Sequence, residues 1–291
     1  MMCKLIRRCR LACGLVSQLL AVQAGAQALT NSPPHSLQNL IEDTRTLRWE
    51  SGLLVGSTLA IGLRDWNWGS QPTFKTRNEG WFGLDTDSGG TDKLAHAYSA
   101  YFITNGLAEQ LQRQGHSSER SALSATLLTQ AVLLGVELFD GYSVNYGWSS
   151  QDVIMNLLGS GAAYLRQTHP SLRDRIDFRL AYQPSGFRGF SPVGDYAGQK
   201  YLLALKLSGL DATRDTPLRY LELHAGYYAR GFSPEEVADG RSRSRQGFVG
   251  IGLNLNALLW GQRDATEPPA QHYSRLFLEH IQLPASAFHA P

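Results

Sequence analysis

The 291-residue chain has only three cysteines, and all of them, Cys3, Cys9 and Cys13, fall within its first thirteen residues. Beyond that point there is no thiol, which excludes structural disulfides, thiolate metal sites and a cysteine nucleophile from the rest of the chain. Long apolar runs are missing from the body as well. The run Ser121 to Val136 has 16 consecutive uncharged residues, short of the roughly 20 that a bilayer-crossing helix needs. Mean hydropathy is negative, so a conventional multi-span membrane protein is not expected. There is no Gly-x-Ser-x-Gly elbow, no phosphate loop, no dinucleotide fingerprint and no His-Glu-x-x-His helix, which removes the common signatures of hydrolases, nucleotide enzymes and zinc proteases.

The N-terminus is where the sequence speaks most plainly. Lys4, Arg7, Arg8 and Arg10 form a basic start, Leu11 to Val22 is a short apolar run, and Ala24-Gly25-Ala26 and Ala26-Gln27-Ala28 both offer small-x-small cleavage. This is the layout of a secretory signal peptide covering residues 1–28. Cys13 stands at the start of the apolar run rather than after it, so lipidation there is not expected. Removing the segment changes the charge: 27 basic against 25 acidic residues becomes 23 against 25, from +2 to −2. No basic field suited to nucleic acid remains. An exported chain of this kind is expected in the periplasm or, membrane-associated, at the outer membrane of a Gram-negative-type bacterium. Its expected partners are membrane lipid or envelope proteins, and no nucleic acid; its cofactors are unknown.

The remaining chain reads as α+β, with a helical domain over 29–175 and an antiparallel β region with a Pro-rich tail over 176–291. Helical spacing marks Leu37 to Leu63 and three segments near 92–114, 118–139 and 150–167, with Thr91 and Ser149 or Ser150 as N-caps. Period-two alternation marks strands at Tyr201 to Leu207, Leu218 to Tyr228 and Gln246 to Leu259. In the last, Val249, Ile251, Leu253, Leu255 and Ala257 point one way. Such a strand either lines a core or faces lipid. The expectation is a bundle of about four helices packed with a small antiparallel sheet of three to four strands, and a short helix near Tyr273 to Ile281. Arg-Gly-Phe-Ser-Pro occurs at 188–192 and again at 230–234, which reads as one turn type used twice.

Three helices carry polar residues among apolar neighbours: Asp92, Lys93 and His96 on the first, Glu137 and Asp140 on the second, Asp152 and Asn156 on the third. Buried singly, each would cost several kcal/mol, roughly, so they are expected to satisfy one another. Three chemistries compete. In a structural cluster, Lys93 neutralises Glu137 or Asp140 while His96 and Asn156 complete hydrogen bonds. In a metal site, His96, Glu137, Asp140 and Asp152 are ligands suited to Zn, Mn or Mg. In acid–base catalysis, His96 or Glu137 takes the proton while Lys93 holds an anion. The corresponding functions are a non-enzymatic membrane-associated scaffold or lipid-binding protein, or a metal- or acid–base-dependent hydrolase of an envelope lipid or glycan. Trp66, Trp68, Trp81 and Trp148 are either interfacial anchors or core caps. His116, His169, His224 and the tail histidines show no partner spacing.

The segments Asp92-Lys93-Leu94-Ala95-His96-Ala97-Tyr98, Glu137-Leu138-Phe139-Asp140-Gly141 and Ser149 to Gly159 together resemble the YfiM-type family of uncharacterised envelope proteins. More distantly, the order Asp-Lys-x-x-His, Glu, Asp-x-x-x-Asn-x-x-Gly is similar to the VanZ-like membrane family. The resemblance covers about residues 85–165, with further likeness at Asp195 to Leu203 and Val249 to Leu255. It implies an envelope location and no settled activity. YfiM-type members are often lipoproteins, and this chain departs from them in lacking a usable lipid-attachment motif.

Overall fold

The computed structural model describes residues 36–261, 263 and 267–290. The signal segment, with Cys3, Cys9 and Cys13, lies outside these residues. In chain order the elements are helices α1 (Leu37–Thr46), α2 (Arg48–Arg64), α3 (Thr91–Arg113), α4 (Ser118–Asp140), α5 (Ser150–Thr168) and α6 (Pro170–Arg175), then strands β1 (Ile176–Tyr182), β2 (Gln199–Lys206) and β3 (Leu221–Arg230). Helix α7 (Pro234–Ala238), strand β4 (Ser244–Leu253), helices α8 (Leu255–Trp260) and α9 (Pro269–His280), and strands β5 (Ile281–Gln282) and β6 (Ala287–Ala290) complete them. The chain divides into two compact units. One holds the described residues up to Asn78 with Ile103–Thr168; the other holds Glu79–Phe102 and everything from His169 on. The last part of α3 belongs to the first unit and its opening turns to the second.

The α+β class is as expected, but both counts were too low. Nine α-helices stand among the described residues. The sheet has six strands in the order β5-β1-β2-β3-β4-β6, with β5 parallel to β1 and the other pairs antiparallel. It is a mixed sheet rather than a purely antiparallel one. β1 alternates polar and apolar residues, but its polar positions Asp177 and Arg179 are charged, a poor sign of a buried strand, and both are buried. The strand expected to run to Leu259 ends at Leu253: the Asn254 side chain accepts from the Ala257 N–H at 3.1 Å and starts α8. Leu255 and Ala257 therefore lie on a helix. The expected long helix at 37–63 breaks at Leu47, a fully buried residue. Ser149 caps α5 as expected, accepting from the Asp152 N–H at 3.3 Å, whereas α3 is capped by Ser88, whose hydroxyl accepts from the Asp92 N–H, rather than by Thr91.

In the helical unit one apolar cluster is made of Leu47, Leu107, Ala108, Leu111 and Ala125 with Ile103 and Leu128 against it, and Trp68, Leu133, Val136 and Phe139 are buried as well. Helix α5 is inverted relative to an ordinary soluble helix. It buries Gln151, Asp152, Asn156, Ser160, Arg166 and Gln167, and exposes Ile154, Leu157, Leu158 and Leu165. Met155 and Ala163 are buried beside these polar groups. Helix α4 is long and apolar enough to cross a membrane by length and composition alone, and half of its most apolar window is buried.

The sheet unit shows the same reversal. One face of the sheet carries Asp177, Arg179, Lys206, Glu222 and His224, all buried. The other carries apolar side chains in register. At one end Phe178, Leu180 and Tyr201 are covered by Tyr98, Leu94 and Ala95 from the start of α3. At the other end the rows Leu205–Leu223–Ile251–Phe288 and Leu203–Ala225–Val249–Ala290 cross four strands. There Val249, Ile251 and Phe288 are 62%, 55% and 90% exposed. The two Arg-Gly-Phe-Ser-Pro turns share a left-handed glycine, φ +63° at Gly189 and +78° at Gly231, as one turn type requires. They differ in burial: Phe190 is exposed and Phe232 buried.

Candidate functional site

In the sheet unit the site begins at a turn. Gly89 and Gly90 adopt φ of +60° and +88°, which only glycine takes at little cost, and Tyr227 donates its hydroxyl to the Gly89 carbonyl. This turn sets Asp92, Lys93 and His96 on the opening turns of α3. Lys93 is 2% exposed and its ammonium pairs with Glu79 at 2.6 Å and Asp92 at 2.9 Å. Tyr196 donates to the other Asp92 oxygen at 2.6 Å, and His96 Nε2 lies 3.7 Å from that same oxygen. Burial alone would push the Asp92 carboxyl up. The charges of His96 and Lys93, with the hydrogen bonds from Tyr196 and Lys93, outweigh it and bring it to about 2. Asp92 is therefore a carboxylate at neutral pH, with His96, Lys93 and Tyr196 arranged to keep it so.

Sequence spacing offered Glu137 or Asp140 as the counter-charge for Lys93, and the ion pairs within this unit are with Glu79 and Asp92. Glu79 was missed because it lies in an irregular loop, where no periodicity assigns it a face. Glu137, Asp140, Asp152 and Asn156 belong to the helical unit. There Asp140 accepts from the Trp68 indole N–H at 2.6 Å. Trp68 is buried and stacks on Phe139 at 4.8 Å. It fits because position 62 is glycine: a Cβ there would run into the indole ring. Trp68 is thus a core residue, while Trp81 is 44% exposed. Glu137 and Asp152 are buried, and the Asn156 carbonyl accepts from the Gln130 amide at 2.9 Å, which also donates to Ser160 at 2.7 Å.

A second polar constellation, on the inner face of the sheet, was not singled out from sequence. Arg179 pairs with Glu222 at 2.6 Å and with Asp177 at 2.7 Å, and Lys206 pairs with Asp177 at 2.7 Å. His224 Nε2 meets Glu222 at 2.9 Å, and its Nδ1 meets His289 Nε2 at 2.9 Å. The signal was present as Asp177/Arg179 and Glu222/His224, each an i, i+2 pair on one face of a strand. It was passed over because charged residues are a poor sign of a buried strand.

Residues 78–168 match a family model described as a predicted periplasmic lipoprotein family (DUF2279). The matched stretch takes in α3, α4 and α5, and leaves the sheet and the first two helices outside it. No curated protein and no solved structure matches the chain. The match supports an uncharacterised, exported bacterial envelope protein. The word lipoprotein belongs to that family's description, and Cys13 lies outside the matched residues.

Proposed function

We propose that the chain is a non-enzymatic envelope protein that rests against a lipid surface, at the outer membrane, through the apolar end of its sheet. One observation carries this reading: two rows of aliphatic and aromatic side chains cross four strands in register and stay exposed among the described residues. Leaving a large apolar side chain in water forgoes roughly 1.5–3 kcal/mol of burial, and soluble monomers rarely carry a contiguous patch of this kind without a partner. Lipid suits the outer face of the helical unit too, where Leu157 and Leu158 of α5 are 53% and 60% exposed above a polar interior. The polar groups of α3 are then structural, holding the opening turn of the helix in place.

Flotation of the exported chain with phosphatidylcholine vesicles tests this. The parent is expected to float with the vesicles, and the double variant Leu223→Asn, Ile251→Asn to stay in the load fraction with an unchanged circular dichroism spectrum. A parent that stays behind sinks the proposal. The hydrolase reading has one observation in its favour, an ionised Asp92 beside His96. Metal analysis of the purified protein with and without His96→Ala tests its metal-dependent form: stoichiometric Zn or Mn lost with His96 would favour it over the structural account.

A further inference from the structure

The inner face of the sheet ends in two cations, Lys200 and Arg230, beside the His289 imidazole, and the Arg230 guanidinium also donates to the Gln199 and Ala229 carbonyls. Lys200 stands on β2 beside Ala181 of β1, and strand alternation puts it on the same face as Arg179. Its ammonium lies 4.8 Å above the ring of Tyr228 and 5.8 Å from that of Phe248. Arg230 stacks on the same Tyr228 ring at 4.7 Å. His289 packs on Phe248, with ring centres 4.5 Å apart. Tyr228 also donates to Gln246, which is exposed and opens this corner to solvent.

Two cations on one aromatic ring repel each other, and Lys200 forms no ion pair among the described residues. Burial, then the charge of Arg230, holds the Lys200 ammonium below its ordinary value. Burial, then His224 and Lys200, holds His289 down at about 4. The carboxylates facing Arg230 are already engaged: Asp195 accepts from Tyr182 and the Ser185 N–H, and Glu236 closes the cap of α7. Glu222, the acid nearest the histidines, is held by Arg179 and His224. An oxyanion at this corner would relieve the repulsion and find an ammonium, a guanidinium and an imidazole around it.

We infer that Lys200, Arg230 and His289 frame a binding site for a phosphate-type oxyanion, carried by a phosphorylated lipid headgroup or by free phosphate. Only the headgroup source rests on the membrane reading above. The test is a titration of the exported chain with inorganic phosphate, followed by NMR at His289, together with binding to vesicles of phosphatidylcholine with and without phosphatidylglycerol. Phosphate is expected to bind saturably and to raise the His289 pKa. Lys200→Met is expected to weaken phosphate binding about fivefold, the loss of one basic contact at a charged surface, and Lys200→Arg to restore it. If phosphatidylglycerol strengthens vesicle binding in the parent but not in Lys200→Met, the ligand is a headgroup. Phosphate binding that depends on Lys200, with vesicle binding that does not, assigns the site to free phosphate. Absence of phosphate binding, or a Lys200→Met variant that matches the parent in both assays, overturns the inference. Failure of plain phosphatidylcholine to bind would sink the membrane reading and leave the phosphate titration standing.

Discussion

The helical unit and the sheet unit both turn polar groups inward, but they satisfy them by different means. In the helical unit α5 buries the neutral Gln151, Asn156, Ser160 and Gln167 along with the charged Asp152 and Arg166, and one Gln130 amide donates to both the Asn156 carbonyl and the Ser160 hydroxyl. In the sheet unit the interior holds formal charges: Arg179 sits between Asp177 and Glu222, with Lys206 on the far side of Asp177. Neutral hydrogen bonds are each worth roughly 0.5–1.5 kcal/mol net. A buried ion pair gives little net stability when intact, yet losing one partner strands a charge in low dielectric. The neutral positions of α5 and the charged network of the sheet should therefore fail differently under mutation, the first gradually and the second abruptly.

The largest effect is expected at Arg179. Arg179→Ala leaves Asp177 and Glu222 facing each other's space without their guanidinium, and should cost roughly 3–5 kcal/mol in urea unfolding. Ser160→Ala in the helical unit, by contrast, should cost about 1 kcal/mol. Equal losses at the two positions would break the comparison. An intermediate effect is expected at Gly62, where a methyl group would run into the Trp68 ring. Gly62→Ala should destabilise by roughly 1–3 kcal/mol through overpacking, and Trp68→Phe combined with it should recover part of the loss.

The smallest effect is a pH dependence. Asp92 is lowered to about 2 in the folded protein against an ordinary 3.8. Its contribution is thus present above pH 3.8 and lost as pH falls toward 2, because the unfolded chain takes up the proton first. Thermal melts of the parent should steepen across that window, and Asp92→Asn should flatten the response. A variant that keeps the full acid slope would show that other carboxylates set it.

Much of this was legible in the sequence where one periodicity ran unbroken. The bounds of α3, α4 and α5 lie within a residue or two of those expected, because their helical apolar spacing runs unbroken, although the cap expected for α3 was Thr91 and not Ser88. Val249, Ile251 and Leu253 lie on one face as the alternation predicts, while the sequence left open whether that face lines a core or stays exposed. The sheet's size was not legible. β1 sets the charged Asp177 and Arg179 on its inner face, and their burial makes sense only once Glu222 and Lys206 are brought beside them from neighbouring strands. β5 and β6 are 2 and 4 residues long, too short to carry a period. At the candidate site, i, i+4 spacing placed Asp92 and His96 together, but nothing local pointed to Glu79 or Tyr196, which arrive through loop geometry.

The central claim is that the apolar end of the sheet meets lipid, and the thiol-free body of the chain makes it directly measurable. A spin label on Ile251→Cys, compared with one on Gln246→Cys from the same strand, reports oxygen and water-soluble nickel access with vesicles present. The account predicts high oxygen and low nickel access at 251, and nickel access retained at 246. Equal nickel access at the two positions, with vesicles bound, would contradict it.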